Sequence, residues 1–118
     1  MPFTCLIVDD SPRFLAAVKQ LLADDGVTVV GVATTADEAV AASARRPDVV
    51  LVEIELAAEG GLDVAPRLAR LPDGGPPVVL ISAESGSELA ELVDVSGALG
   101  FVSKSDLSAE AIRTLLAG

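Results

Sequence analysis

The chain has no histidine, tryptophan or tyrosine, a single cysteine, and only 8 basic residues in a length of 118. Without imidazole there is no Ser-His nucleophilic pair, no histidine general base and no imidazole metal ligand. Aromatic residues make up 3%, so the core must be packed from Leu, Val, Ile and Ala, and a hydrophobic fraction of 51% suffices for one domain of this length. Cys5 lies in an apolar run, has no intrachain disulfide partner and reads as a small buried hydrophobe. The scarcity of bases leaves a formal net charge of −10. That weighs against direct nucleic-acid binding, because phosphate affinity rests on clustered Lys and Arg, so any DNA would be bound by an attached module. No apolar run approaches the ~20 residues of a membrane span, and no basic segment precedes an apolar one at the N-terminus. The expected compartment is the cytoplasm.

What is present is a set of apolar runs that end in chemistry. Within Pro47 to Leu56, Val49, Val50, Leu51 and Val52 form an aliphatic run without polar alternation, followed by Glu53. Such a run fits a parallel strand covered by helices on both faces. Cys5 to Val8 runs into Asp9 and Asp10, Val78 to Ile81 into Ser82, and Leu99 to Val102 into Ser103 and Lys104. In an open parallel sheet, ligands bind beyond the carboxyl ends of the strands. If these strands are parallel neighbours, Asp9, Asp10, Glu53, Ser82 and Lys104 meet at one edge.

Between the strands lie helix signals. Ser11 and Pro12 suit the N-cap and first position of a helix whose inward side is Phe14, Leu15, Val18, Leu21 and Leu22, with Gly26 as its stop. A second strand is expected over Val27 to Val32, at an edge. Thr35-Ala36-Asp37-Glu38 is a capping-box pattern that opens a helix over Ala36 to Arg45, with Ala39, Val40 and Ala42 facing in. Leu56 to Gly61 reads as a loop, and Pro66 places the start of the next helix no earlier than Leu62 or Asp63. Pro72 to Pro77 is a turn cluster. A helix over Ser85 to Val95 should bury Leu89, Leu92 and Val93 and present Glu84, Glu88, Glu91 and Asp94 outward. That acidic face disfavours self-association through it. Gly97 and Gly100 bracket the start of the last strand. Ser108 caps a final helix carrying Ile112, Leu115 and Leu116. Fivefold alternation of strand and helix predicts an α/β domain with a doubly wound parallel sheet.

Over its whole length this pattern resembles the receiver domain of two-component response regulators. The resemblance rests on Asp9, Asp10, Ser82 and Lys104, each matching a family position. It implies a flavodoxin-like fold: five parallel strands in the order 2-1-3-4-5, flanked by five helices. In the family, the acid pair and the acceptor carboxylate hold Mg2+ with the backbone carbonyl two residues beyond the acceptor. Here the implied metal set is Asp9, Asp10, Glu53 and Glu55. The Ser and Lys contact the phosphoryl group, and an aromatic on the last strand, here Phe101, turns inward behind them.

The acceptor departs from the pattern, because Glu53 stands where the family has Asp. One methylene advances the carboxylate by about 1.5 Å, toward the place of phosphoryl oxygens. It brings one negative charge where a phosphoryl group brings roughly two. Three readings stay open: a natural degenerate receiver, an acceptor that still works, and an engineered phosphomimetic. Displacing a reacting atom by about an ångström can cost on the order of a hundredfold in rate, so impaired transfer is expected, with Mg2+ binding weak or absent. Ser105 follows Lys104 where the family usually has a proline after a cis peptide; a cis bond to a non-proline costs about 2.5–4 kcal/mol, so a trans bond is expected. Leu56 to Gly61 also lacks the usual loop proline and acid, although Gly61 falls on the family's glycine.

The expected role is a regulatory, non-enzymatic receiver. Its implied partners are a sensor histidine kinase or other regulatory protein and a covalently attached DNA-binding output domain, with any homodimer weak. The segment Phe101 to Ala109 resembles receivers joined to helix-turn-helix modules, so the chain fits a fragment of a longer regulator. Two other classes could draw on the same residues. A small Mg2+-dependent phosphotransferase or phosphatase could use the same acids, but no cap or second acid/base encloses a substrate. A flavodoxin-like cofactor binder needs a glycine-lined phosphate cradle, and Asp9-Asp10-Ser11-Pro12 presents negative charge there.

Overall fold

The computed structural model describes residues 3–56, 61–83, 91, 93, 94 and 96–118. Five strands form one parallel sheet: β1 (Thr4–Val8), β2 (Thr28–Ala33), β3 (Val49–Glu53), β4 (Val78–Ser82) and β5 (Gly100–Ser103), in the order β2-β1-β3-β4-β5. Four α-helices lie among the described residues: α1 (Pro12–Asp24), α2 (Ala36–Ala42), α3 (Val64–Ala69) and α4 (Ala109–Ala117). Of the further helix expected over Ser85 to Val95, Glu91, Val93 and Asp94 are helical. The remainder, including Glu84 and Glu88 of its acidic face, lies outside the described residues, as do positions 57–60 of the loop after β3.

The unbroken apolar runs are explained by two cores. Cys5, Ile7, Val49, Leu51, Val79 and Ile81 face one side of the sheet and pack with Val18, Leu22 and Ile112 of α1 and α4. Their alternates, Leu6, Val8, Val50, Val52, Val78 and Leu80, face the other side with Ala36, Ala39, Val64 and Leu68 of α2 and α3. Every residue of β3 and β4 is buried. Each fully buried aliphatic side chain contributes roughly 1.5–3 kcal/mol, so the centre of the sheet is where the fold is anchored. Burial also pushes the Cys5 thiol up to about 12, which leaves it unreactive near neutral pH.

Local chemistry sets the boundaries. Ser11 Oγ accepts the Phe14 N–H at 3.3 Å, and Pro12 occupies the first turn of α1. Thr35 Oγ1 accepts the Glu38 N–H at 3.1 Å, while the Glu38 carboxylate reaches back to the backbone N–H groups of Thr34 and Thr35, as a capping box requires. Those contacts lower the Glu38 pKa. A 3-10 turn, Ser43–Arg45, extends α2 to its expected end, and another, Gly61–Asp63, leads into α3 so that Pro66 sits in its first turn. Gly75 has φ +69, and a Cβ there would lie 2.2 Å from the Leu68 carbonyl oxygen, so the turn before β4 closes on α3 only with glycine.

Three expectations change. Val27 precedes β2, because its N–H turns back to Leu22 O at 2.9 Å to close α1. The last strand begins at Gly100, not Leu99. Leu21 is 41% exposed rather than inward, since α1 meets the sheet along a narrow line through Val18 and Leu22. At the outer edge of the sheet, the Arg45 guanidinium donates to the carbonyl of Val30 in β2. Gly31 leaves it room, for a Cβ there would approach the guanidinium to 3.0 Å.

Candidate functional site

Parallel pairing aligns the strand ends. Val8 pairs with Val52, Glu53 with Ile81, and Ser82 with Ser103. The residues that end or follow β1, β3, β4 and β5 therefore share the carboxyl edge, and three of them touch. Lys104 Nζ lies 2.9 Å from Asp9 Oδ2 and 3.1 Å from Glu53 Oε2. Both oxygens are buried and have no hydrogen bond of good geometry, so the ammonium offsets them by charge. The other oxygens are held by backbone: Asp9 Oδ1 accepts the Ser11 N–H at 2.8 Å, and Glu53 Oε1 accepts the Glu55 N–H at a long 3.4 Å. The Asp9 N–H donates to Ala33 O at 2.9 Å, tying this acid to the end of β2 as well.

The remaining expected residues are arranged around this pair of contacts. Ser82 is buried at the end of β4, and Phe101 is half-buried against the α2 and α3 core. Asp10 and the Glu55 side chain are exposed. Lys104 leaves β5 in a 3-10 turn, Lys104–Asp106, and every described peptide bond, including that to Ser105, is trans. In place of a prolyl ring, Ser105 offers a hydroxyl, whose oxygen lies 3.0 Å from Ser103 Oγ and so brackets Lys104. Sequence reasoning missed this bracket. It also missed Phe14, whose ring centroid is 4.1 Å from Lys104 Nζ. The available signal was the place of Phe14, in the first turn of a helix that begins beside the acid pair.

Burial pushes the Glu53 carboxyl above its ordinary range, helped by the charge of Asp9 and only partly offset by Lys104. For Lys104, desolvation pulls downward, but the contacts with Asp9 and Glu53 together outweigh it and the ammonium is held above its ordinary value. Mg2+ takes hard oxygen ligands, commonly one or two carboxylates. Among the described residues no three Asp, Glu or Cys side chains gather in a metal-holding group. Asp9 Oδ2 and Glu53 Oε2 converge, but on the ammonium. The oxygens that would hold the ion are thus in contact with Lys104 Nζ, at 2.9 Å and 3.1 Å.

The chain's residues 5–116 match the family described as the response regulator receiver domain. It is 30% identical over 118 residues to the response regulator UvrY of Escherichia coli, covering 96% of this chain and 54% of that protein. The DNA-binding transcriptional activator EvgA of Escherichia coli is 26% identical over 102 residues, 86% of this chain and 50% of that protein. A two-component response regulator of the LuxR family from Aurantimonas superposes with a TM-score of 0.87 at 25% identity, covering 100% of this chain and 87% of that one. The chain spans about half the length of these two curated relatives.

Proposed function

The chain belongs to the response regulator receiver domain family, and from that premise we propose that it is a two-component receiver in which phosphorylation is impaired or replaced by the Glu53 carboxylate. The observation that carries this reading is the ammonium bridge. Lys104, at the family's phosphoryl-contacting position, already lies 3.1 Å from a carboxylate oxygen of Glu53. An oxygen anion that would come with phosphorylation is thus supplied in part by the side chain itself, with one charge in place of roughly two. Ser82, buried at the end of β4, and Phe101, half-buried in β5, are the residues that would relay the state to a partner surface. The domain acts through protein-protein contacts rather than as an enzyme. Its partners are a sensor kinase or another regulatory protein, and any self-association is weak.

The chain serves as the receiver portion of a longer cytoplasmic regulator with a DNA-binding output module attached, a reading supported by its covering half of EvgA, a DNA-binding transcriptional activator. Nucleic acid is left to that module, in keeping with the net charge of −10. Among the described residues no helix is long and apolar enough to cross a membrane. Mg2+ binding is weak or absent, since the ion competes with the ammonium for Asp9 and Glu53.

Incubation with Mg2+ and acetyl phosphate tests this reading. The intact mass of the chain should stay unchanged, while Glu53→Asp should gain one hydroxylamine-labile phosphoryl group, as an acyl phosphate must be. Ready labelling of the parent at Glu53 overturns the proposal. Absence of label on both proteins would place the defect in the Ser105 turn or the loop after β3.

A further inference from the structure

Phe14 has the spacing of a core residue, yet its ring also faces charge. The Lys104 ammonium lies 4.1 Å from the ring centroid, inside the ~6 Å reach of a cation–π contact. The same nitrogen touches Asp9 and Glu53. The ammonium is therefore enclosed by two anionic oxygens and an aromatic face, whose quadrupole attracts cations.

The ring's place follows from the acid it serves. Asp9 Oδ1 accepts the Ser11 N–H at 2.8 Å, and Ser11 Oγ accepts the Phe14 N–H at 3.3 Å. One acid thus binds the ammonium through one oxygen and, through the other, starts the chain of hydrogen bonds that fixes the first turn of α1. Ser103 and Ser105, on either side of Lys104 in the chain, hold its backbone through a 3.0 Å contact between their hydroxyls.

We infer that Phe14 is a positioning residue for Lys104, and that ring and carboxylates together make the acid pocket carry its own cation. The inference rests on the receiver reading for the importance of the pocket, but it concerns the ammonium and not phosphoryl transfer. A solvent-exposed lysine would shed its partners as rotamers interconvert. One covered by a ring stays over Asp9 and Glu53.

Two readouts test it. In the NMR spectrum of the unmodified chain, the Lys104 methylene protons next to Nζ should be shifted upfield by the ring current of Phe14; lysine-like shifts there would overturn the proposal without any variant. Second, the rate at which a small amine-reactive ester modifies Lys104 should rise about two- to tenfold in Phe14→Leu, and stay at the parental rate in Phe14→Tyr, which keeps the ring. Equal rates in Phe14→Leu and the parent would overturn it, as would a rise equally large in Phe14→Tyr. Lys19, exposed in the folded chain, gives the rate of an uncovered lysine, and a rise at Lys104 accompanied by loss of the parental far-UV circular dichroism reports unfolding and counts against a positioning role. The acetyl phosphate experiment fails or succeeds independently of these rates.

Discussion

Two ion pairs invite comparison, one at the carboxyl edge of the sheet and one on the outer face of the helices. Arg67 of α3 meets Asp37 of α2 at 2.6 Å, closer than Lys104 comes to either Asp9 or Glu53. Distance nevertheless ranks them in the wrong order. The Asp37 side chain is 84% exposed and that of Arg67 36%, whereas Asp9 is 0% and Lys104 19% exposed. Water screens the first pair, and such contacts are typically worth about 0.2–1 kcal/mol. Asp9 and Glu53 have already lost their hydration, so the ammonium is what makes their burial tolerable. The surface pair joins two helices, while the buried one sustains a site.

The comparison breaks most visibly if Lys104 is removed. Lys104→Met leaves two buried carboxylates without a counter-charge and should destabilise the chain by about 3 kcal/mol at neutral pH, read from urea melts. The loss should shrink in acid, where Glu53 takes up a proton. An unchanged midpoint would mean that the pocket admits enough water to hydrate both acids.

A smaller effect separates the pairs by pH. The Glu53 pKa is raised by burial, so the folded chain keeps this proton to higher pH than the unfolded one. Its contribution to stability therefore falls as pH climbs from the ordinary 4.5 through the folded value. Lys104 is raised as well, so its contribution is complete below the ordinary 10.5 and is lost as pH rises through the folded value. Urea melts across this range should show both declines in the parent. Glu53→Gln should abolish the acidic one and Lys104→Met the alkaline one.

The smallest effect sharpens the contrast from the other side. Arg67→Ala should cost no more than about 0.5 kcal/mol, and added salt should make the parent and the variant nearly equal. A cost matching that of Lys104→Met would show that the α2–α3 contact carries more of the fold than its exposure implies.

Much of this is legible in the sequence. The run Val49 to Val52 announces a strand buried on both faces, and the two cores show why it lacks polar alternation. Because parallel strands in register end together, the meeting of Asp9, Glu53 and Lys104 followed from where each apolar run stopped. What stayed hidden depends on how separate elements approach. Phe14 has helical spacing whether or not a lysine from β5 lies over its ring. Ser105 reads as a missing proline, and only the approach of Ser103 turns the loss into a hydroxyl contact. Leu21 looks like its neighbour Leu22 by composition, and one step around α1 decides that it faces solvent.

Arg45 at the rim of the sheet has a consequence for how these molecules behave in a crowd. An outermost strand presents unpaired backbone groups to which a neighbouring chain can add a strand, the first step toward aggregates. By donating to the carbonyl of Val30, Arg45 occupies one of those acceptors and sets a charged, hydrated group across the line of growth. Gly31 is the space that lets the guanidinium lie there. A larger residue at that position would enrich β2 in strand-forming side chain while pushing the guard aside, trading a gain in local strand preference for colloidal stability.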